Sequence, residues 1–142
     1  MIHNPILQPV VALMVWTMVM WLWMYATRIP AMGKANVDTA NWVGGKGADL
    51  DGMLPEKVQW KAHNYNHLHE APTLFYAVAL LLALTGNGAG HGTQLAWAYV
   101  ALRVVHSLIQ ATVNKVTLRF AIFALSSLCL MALIFRAAQV VF

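Results

Sequence analysis

Four long apolar runs constrain this chain most, because none of its nine glycines falls inside one: five lie between Gly33 and Gly52, four between Gly86 and Gly92. Glycine and its polar neighbours mark the connections. The runs cover about residues 6–27, 55–85, 94–113 and 116–141, and each reaches the roughly 20 residues that carry an α-helix across a bilayer. Membrane strands would be about 10 residues long and strictly alternating, whereas residues 11–23 and 125–135 are apolar on nearly every side. The expected fold class is all-α: an integral-membrane four-helix bundle forming one domain over residues 1–142. Only 10% of the residues are charged and 60% are hydrophobic, against about a quarter charged in soluble domains.

The single cysteine, Cys129, excludes an internal disulfide framework and a CxxC redox pair. A net charge of +4 on a soluble domain would suggest nucleic acid, but here the placement of the charges decides, and no nucleic-acid partner is expected. Arg28, Lys34, Lys46, Lys57 and Lys61 flank or occupy the first connection, and Lys115 and Arg119 flank the third, so seven of nine basic residues share one side. The positive-inside rule makes that side cytoplasmic and puts both termini outside, with Arg136 the contrary residue. The first run is expected to stay as a helix, since Met1 to Gln8 carries no Lys or Arg and the run is too long for a signal core. The second helix, 31 residues from Pro55 to Thr85, would measure about 46 Å and project at its cytoplasmic end. Residues 28–54 form a long cytoplasmic loop.

Ionisable side chains inside a span are costly and mark candidate sites. Tyr99, Arg103, His106, Gln110 and Asn114 recur at helical spacing on one face. On the second run Gln59, His63, Asn66 or His67, and Glu70 give another polar stripe. In a purely structural reading Glu70 and Arg103 neutralise each other and the amides link helices. In the functional reading, two such stripes with Lys115 and Arg119 at the same membrane face make a cationic site open to the cytoplasm. His63, His67 and His69 read HxxxHxH, but a di-iron hydroxylase needs several further histidine clusters and only His3, His91 and His106 remain. A haem between His67 and His106, or zinc on His63, His67 and Glu70, has spacing alone behind it, and no metal is expected.

The stretch Glu56-Lys57-Val58, Lys61-Ala62-His63 and Glu70-Ala71-Pro72-Thr73-Leu74-Phe75-Tyr76, followed by Arg103-Val104-Val105-His106-Ser107-Leu108-Ile109, Asn114-Lys115-Val116 and Arg119-Phe120, resembles the signatures of the membrane-associated proteins in eicosanoid and glutathione metabolism, the MAPEG family, and its bacterial branch in particular. The resemblance implies a homotrimer of four-helix protomers in a bacterial inner membrane, with glutathione or a lipid held between subunits near the cytoplasmic face. By position, Glu70, Arg103, His106 and Arg119 match family residues that contact glutathione or organise its site. Arg28, Lys61 and Lys115 would hold its carboxylates, and Asn66, His67 and Asn114 would complete the binding set. Arg119 is the candidate catalytic residue, because a guanidinium beside the thiol favours the thiolate that attacks electrophiles. The implied function is that of a glutathione transferase or peroxidase acting on hydrophobic small molecules arriving through lipid. The alternative is a non-catalytic lipid-binding or partner-binding protein on the same scaffold; of three departures, Lys61 for an Arg, His67 where an Asn is usual and Gln110 for a Tyr, the first and last favour it, while Glu70, Arg103 and Arg119 favour the enzyme.

Overall fold

The computed structural model describes residues 4–142; His3, one of the scattered histidines, lies outside them. Five α-helices follow in order: α1 (Leu7–Lys34), α2 (Glu56–His67), α3 (Ala71–Leu84), α4 (His91–Thr112) and α5 (Val116–Val141). Leu7–Lys34, Glu56–Leu84 taken across its break, and Val116–Val141 are long and apolar enough to cross a membrane. Helix α4 has the length, but its polar stripe lowers its hydropathy.

Two expected boundaries move. The first helix runs to Lys34 rather than Thr27, because a helix need not stop where hydropathy falls at Arg28. It closes at Asn36, whose left-handed φ of 50° lets the Val37 N–H reach the Met32 carbonyl at 3.1 Å, the Schellman pattern with Asn in the usual glycine place. The second run is not one 31-residue helix. It breaks at Leu68–Glu70, two residues before Pro72, whose ring lacks the N–H that would bond the Leu68 carbonyl and crowds it.

The core joins Ile6, Leu13 and Met20 to Phe75, Ala79 and Leu82, with Ala96, Tyr99 and Leu133 from α4 and α5. Phe75 and Tyr99 stack there, ring centroids 4.6 Å apart. Helix α4 packs chiefly on α5 and also on α1 and α2, while α3 packs on α5 and α1. The outside is as apolar as the inside: Val11, Met14, Val15, Met18 and Leu22 of α1 and Leu125, Leu128, Met131 and Phe135 of α5 are exposed. Such a surface suits lipid or neighbouring helices rather than water. Of the methionines along α1, Met14 and Met18 are exposed while Met20 and Met24 pack inward. Residues 35–54 contain one turn of 3-10 helix, Gly47–Leu50, pinned by buried Leu50 and Leu54.

Candidate functional site

The α4 stripe turns inward as its spacing requires: Tyr99, Arg103, His106 and Gln110 are all buried. Gln110 accepts a hydrogen bond at 3.1 Å from Nδ2 of Asn64, itself fully buried on α2. Asn64 was not among the expected site residues. Its signal was weak, because the stripe drawn through Gln59, His63, Asn66 and Glu70 follows a neighbouring face. That face is only partly inside: Gln59 is buried, but His63, Asn66 and Glu70 are exposed.

A cleft of about 230 Å³ opens where α2, α4 and α5 meet, lined by His67, His106, Gln110, Val116, Arg119, Phe120 and Phe123. Val116, Arg119, Phe120 and Phe123 fall on one face of α5 by helical spacing, an overlooked signal in the sequence that would have located the cleft's apolar wall. Arg119 is half-buried, and its Nη1 donates at 2.6 Å to Oδ1 of Asn114. Asn114 is held by a left-handed φ of 52° in the turn between α4 and α5. The guanidinium is thereby fixed at the border of the polar and apolar walls. The His67 and His106 rings lie tilted against each other with centroids 4.9 Å apart, which leaves no room for a haem between them. Among the described residues no three His, Cys, Asp or Glu side chains are placed to hold a metal ion.

The structure brings His67, His106 and Arg119 together, with Asn114 behind Arg119. Glu70 reaches the group only through His67, whose Nδ1 lies 2.9 Å from Glu70 Oε2. The expected Glu70–Arg103 pair does not form. Pro72 breaks the helix at Glu70, whose side chain is 68% exposed, while Arg103 is fully buried with its guanidinium nitrogens unpartnered. Lys115 is exposed. Lys61 stands over the Trp23 ring, 5.5 Å from its centroid, and bonds the Lys57 carbonyl. Neither lysine lines the cleft.

Arg28 belongs to a second cluster. Its Nη2 donates to Oε1 of Gln59 at 2.9 Å, and Gln59 Nε2 donates to the Asp51 carboxylate and, at 3.4 Å, to the Gly47 carbonyl. A Cβ on Gly47 would stand 3.0 Å from Arg28 Nη1, so the loop lies close against the guanidinium. Asp51 is also 3.0 Å from His63 Nε2. The hydrogen bond from Gln59, and then His63, hold the Asp51 carboxyl below its ordinary pKa. This network clasps the first loop to the ends of α1 and α2. Sequence reasoning placed Arg28 near a ligand but gave no sign of Asp51 or Gly47.

An all-α membrane protein with a fixed guanidinium at the mouth of a half-apolar cleft is the class these features define. The MAPEG family profile matches residues 6–139, and the chain belongs to that family, whose members include glutathione transferases and peroxidase-like enzymes. No curated protein and no solved structure gives a match to it.

Proposed function

We propose that this protein is a membrane glutathione transferase or peroxidase acting on hydrophobic electrophiles, with Arg119 activating the thiol. The observation that carries this reading is the cleft beside Arg119, where a guanidinium fixed by Asn114 faces Val116, Phe120 and Phe123. A thiol with pKa near 8.5 is mostly protonated at neutral pH. A guanidinium stays charged and lowers the cost of the thiolate, which then attacks an electrophile reaching the apolar wall from lipid.

Assembly as a homotrimer belongs to the same proposal. At about 230 Å³ the cleft is smaller than the roughly 300 Å³ at which ligand pockets begin, so a tripeptide needs a wall from a second subunit. Exposed Lys115 and Glu70, which pairs only with His67, would serve such a shared site, and Arg28 and Lys61, outside this cleft, would face glutathione across an interface. In this reading α4 also spans the bilayer with its polar stripe turned inward, giving four spans in a bacterial inner membrane, the first and third connections cytoplasmic and both termini outside.

A second reading, binding of a lipid or protein partner without catalysis, draws on two engaged side chains. Gln110, at the family's tyrosine position, is bonded to Asn64, and Lys61, at an arginine position, covers Trp23. Glutathione titration of purified protein in detergent, read by thiolate absorbance, separates the two. The enzyme reading expects binding with a thiolate signal that Arg119→Leu removes while binding falls less. Binding without thiolate would discard Arg119 as the activator. No binding at millimolar glutathione would leave the second reading.

A further inference from the structure

Thiol activation leaves a proton to place, and Arg119 cannot take it, because a guanidinium is already fully protonated and has no acceptor. Of the polar side chains lining the cleft, only the two imidazoles can. Gln110 is an amide whose Oε1 already accepts from Asn64. His106 is 2% exposed, with Nδ1 buried and unpartnered, so nothing beside it stabilises the charge that protonation brings. His67 differs on both counts. Its side chain is 21% exposed, and its Nδ1 lies 2.9 Å from Glu70 Oε2. It is also the last residue of α2, and a helix C-terminus favours a cation. An ionised carboxylate only accepts, so in the neutral ring Nδ1 carries the hydrogen and Nε2 the lone pair. Among the described residues the only hydrogen bond of the ring is the one at Nδ1.

We propose that His67 is the base that takes the thiol proton, with Glu70 as its positioning residue; this rests on the reading of Arg119 as thiol activator. The S–H bond breaks, its electron pair stays on sulfur beside Arg119, and the proton binds His67 Nε2. The charged and titratable groups around the ring are Glu70 after α2, His106 and Arg103 on α4, and Arg119 on α5. The two guanidinium groups repel a proton on the resting ring, and the thiolate formed in the same step offsets them. With a hydroperoxide the thiolate attacks the terminal oxygen, the S–O bond forms, the O–O bond breaks, and the leaving alkoxide takes the proton back from His67. A second glutathione thiol then turns the sulfenic acid into disulfide and water. Chloride leaving an aryl chloride needs no proton.

The test follows the proton. Full-length protein in detergent, weakly buffered at about pH 7.5 and above the ordinary imidazole pKa, is mixed with saturating glutathione, and thiolate absorbance and proton release are read together against a protein-free blank. Wild type should form thiolate without a matching proton release. His67→Asn should lose most of that thiolate and regain it about tenfold per pH unit, each thiolate now releasing its proton to the buffer. Matching proton release in the wild type, or the same thiolate titration in both proteins, overturns the proposal. No thiolate in the wild type discards Arg119 as the activator and takes His67 with it. If His67→Asn does not assemble, Glu70→Gln decides. Its amide oxygen still accepts from Nδ1 but carries no charge, so the thiolate fraction at saturation should fall about threefold to tenfold, and an unchanged fraction overturns the dyad. Turnover tests the return step: at about pH 9, where thiolate forms without a base, His67→Asn should recover on chlorodinitrobenzene but not on cumene hydroperoxide, and equal recovery overturns that step.

Discussion

Replacing Gln59 by leucine should release the first loop and loosen the joint between α1 and α2. Gln59 is 3% exposed, and its side-chain carbonyl is the only hydrogen-bond acceptor of Arg28 among the described residues, Arg28 Nε being buried without a partner. A hydrogen bond to a charged group contributes about 1.5–3 kcal/mol. The added apolar packing of leucine returns part of that, about 1 kcal/mol for a comparable buried area. The 3.4 Å contact to Gly47 and the bond to exposed Asp51 hold the loop rather than the bundle. Net destabilisation of about 0.5–2 kcal/mol is therefore expected, together with a large gain in amide exchange at residues 47–54. Gln59→Glu separates the two effects. Its carboxylate still accepts from Arg28 but cannot donate to Gly47 and repels Asp51, so stability should hold while the loop opens. Denaturant unfolding in detergent reads the first quantity and hydrogen exchange the second. Unchanged exchange at 47–54 in Gln59→Leu would refute the clasp.

Other outcomes follow from the same geometry. For topology, cysteines at Val43, 93% exposed, and at exposed His91 should label from opposite sides of the membrane, Val43 from the cytoplasm; labelling from one side would remove the four-span arrangement. Gly45 and Gly88 are unsuitable positions, because a Cβ there would run into Trp42 and Asn4. Asp51 has a carboxyl held below its ordinary value of 3.8, so its contribution is complete above that value and is lost as pH falls toward the lowered one. Proteolysis of the loop should accelerate below about pH 4, and Asp51→Asn should abolish that dependence. Glu70→Gln and Arg103→Gln share no hydrogen bond, so their coupling in unfolding free energy should stay below about 1 kcal/mol; a larger coupling would restore the pair.

Much of the bundle was legible because membrane helices announce themselves by composition: the last helix begins at Val116 and runs to Val141 as its sequence indicates, and the inward stripe of α4 followed from spacing alone. What the sequence concealed was local. Glycine-based punctuation located the loops but said nothing of Pro72, which sits inside an apolar run and still divides it. The rest of the site was hidden because contacts such as Asn64 with Gln110, or Gly47 with Arg28, join residues 46 and 19 positions apart, and no periodicity encodes them.

The break before Pro72 has an electrostatic consequence that reaches the site. In a continuous helix Glu70 would follow His67 by three positions on the same face and point along the stripe toward α4. The turn at Leu68–Glu70 instead sends the carboxylate to the surface, where it keeps only His67. The interior near the cleft is left with two guanidinium groups, Arg103 and Arg119, neither of which forms a direct ion pair with Glu70. In low-dielectric surroundings an unscreened cationic field attracts anions far more strongly than the same charges would in water. The break that turns Glu70 outward therefore leaves the guanidinium of Arg119 at the cleft without an acid beside it, which favours an anionic ligand such as a thiolate there.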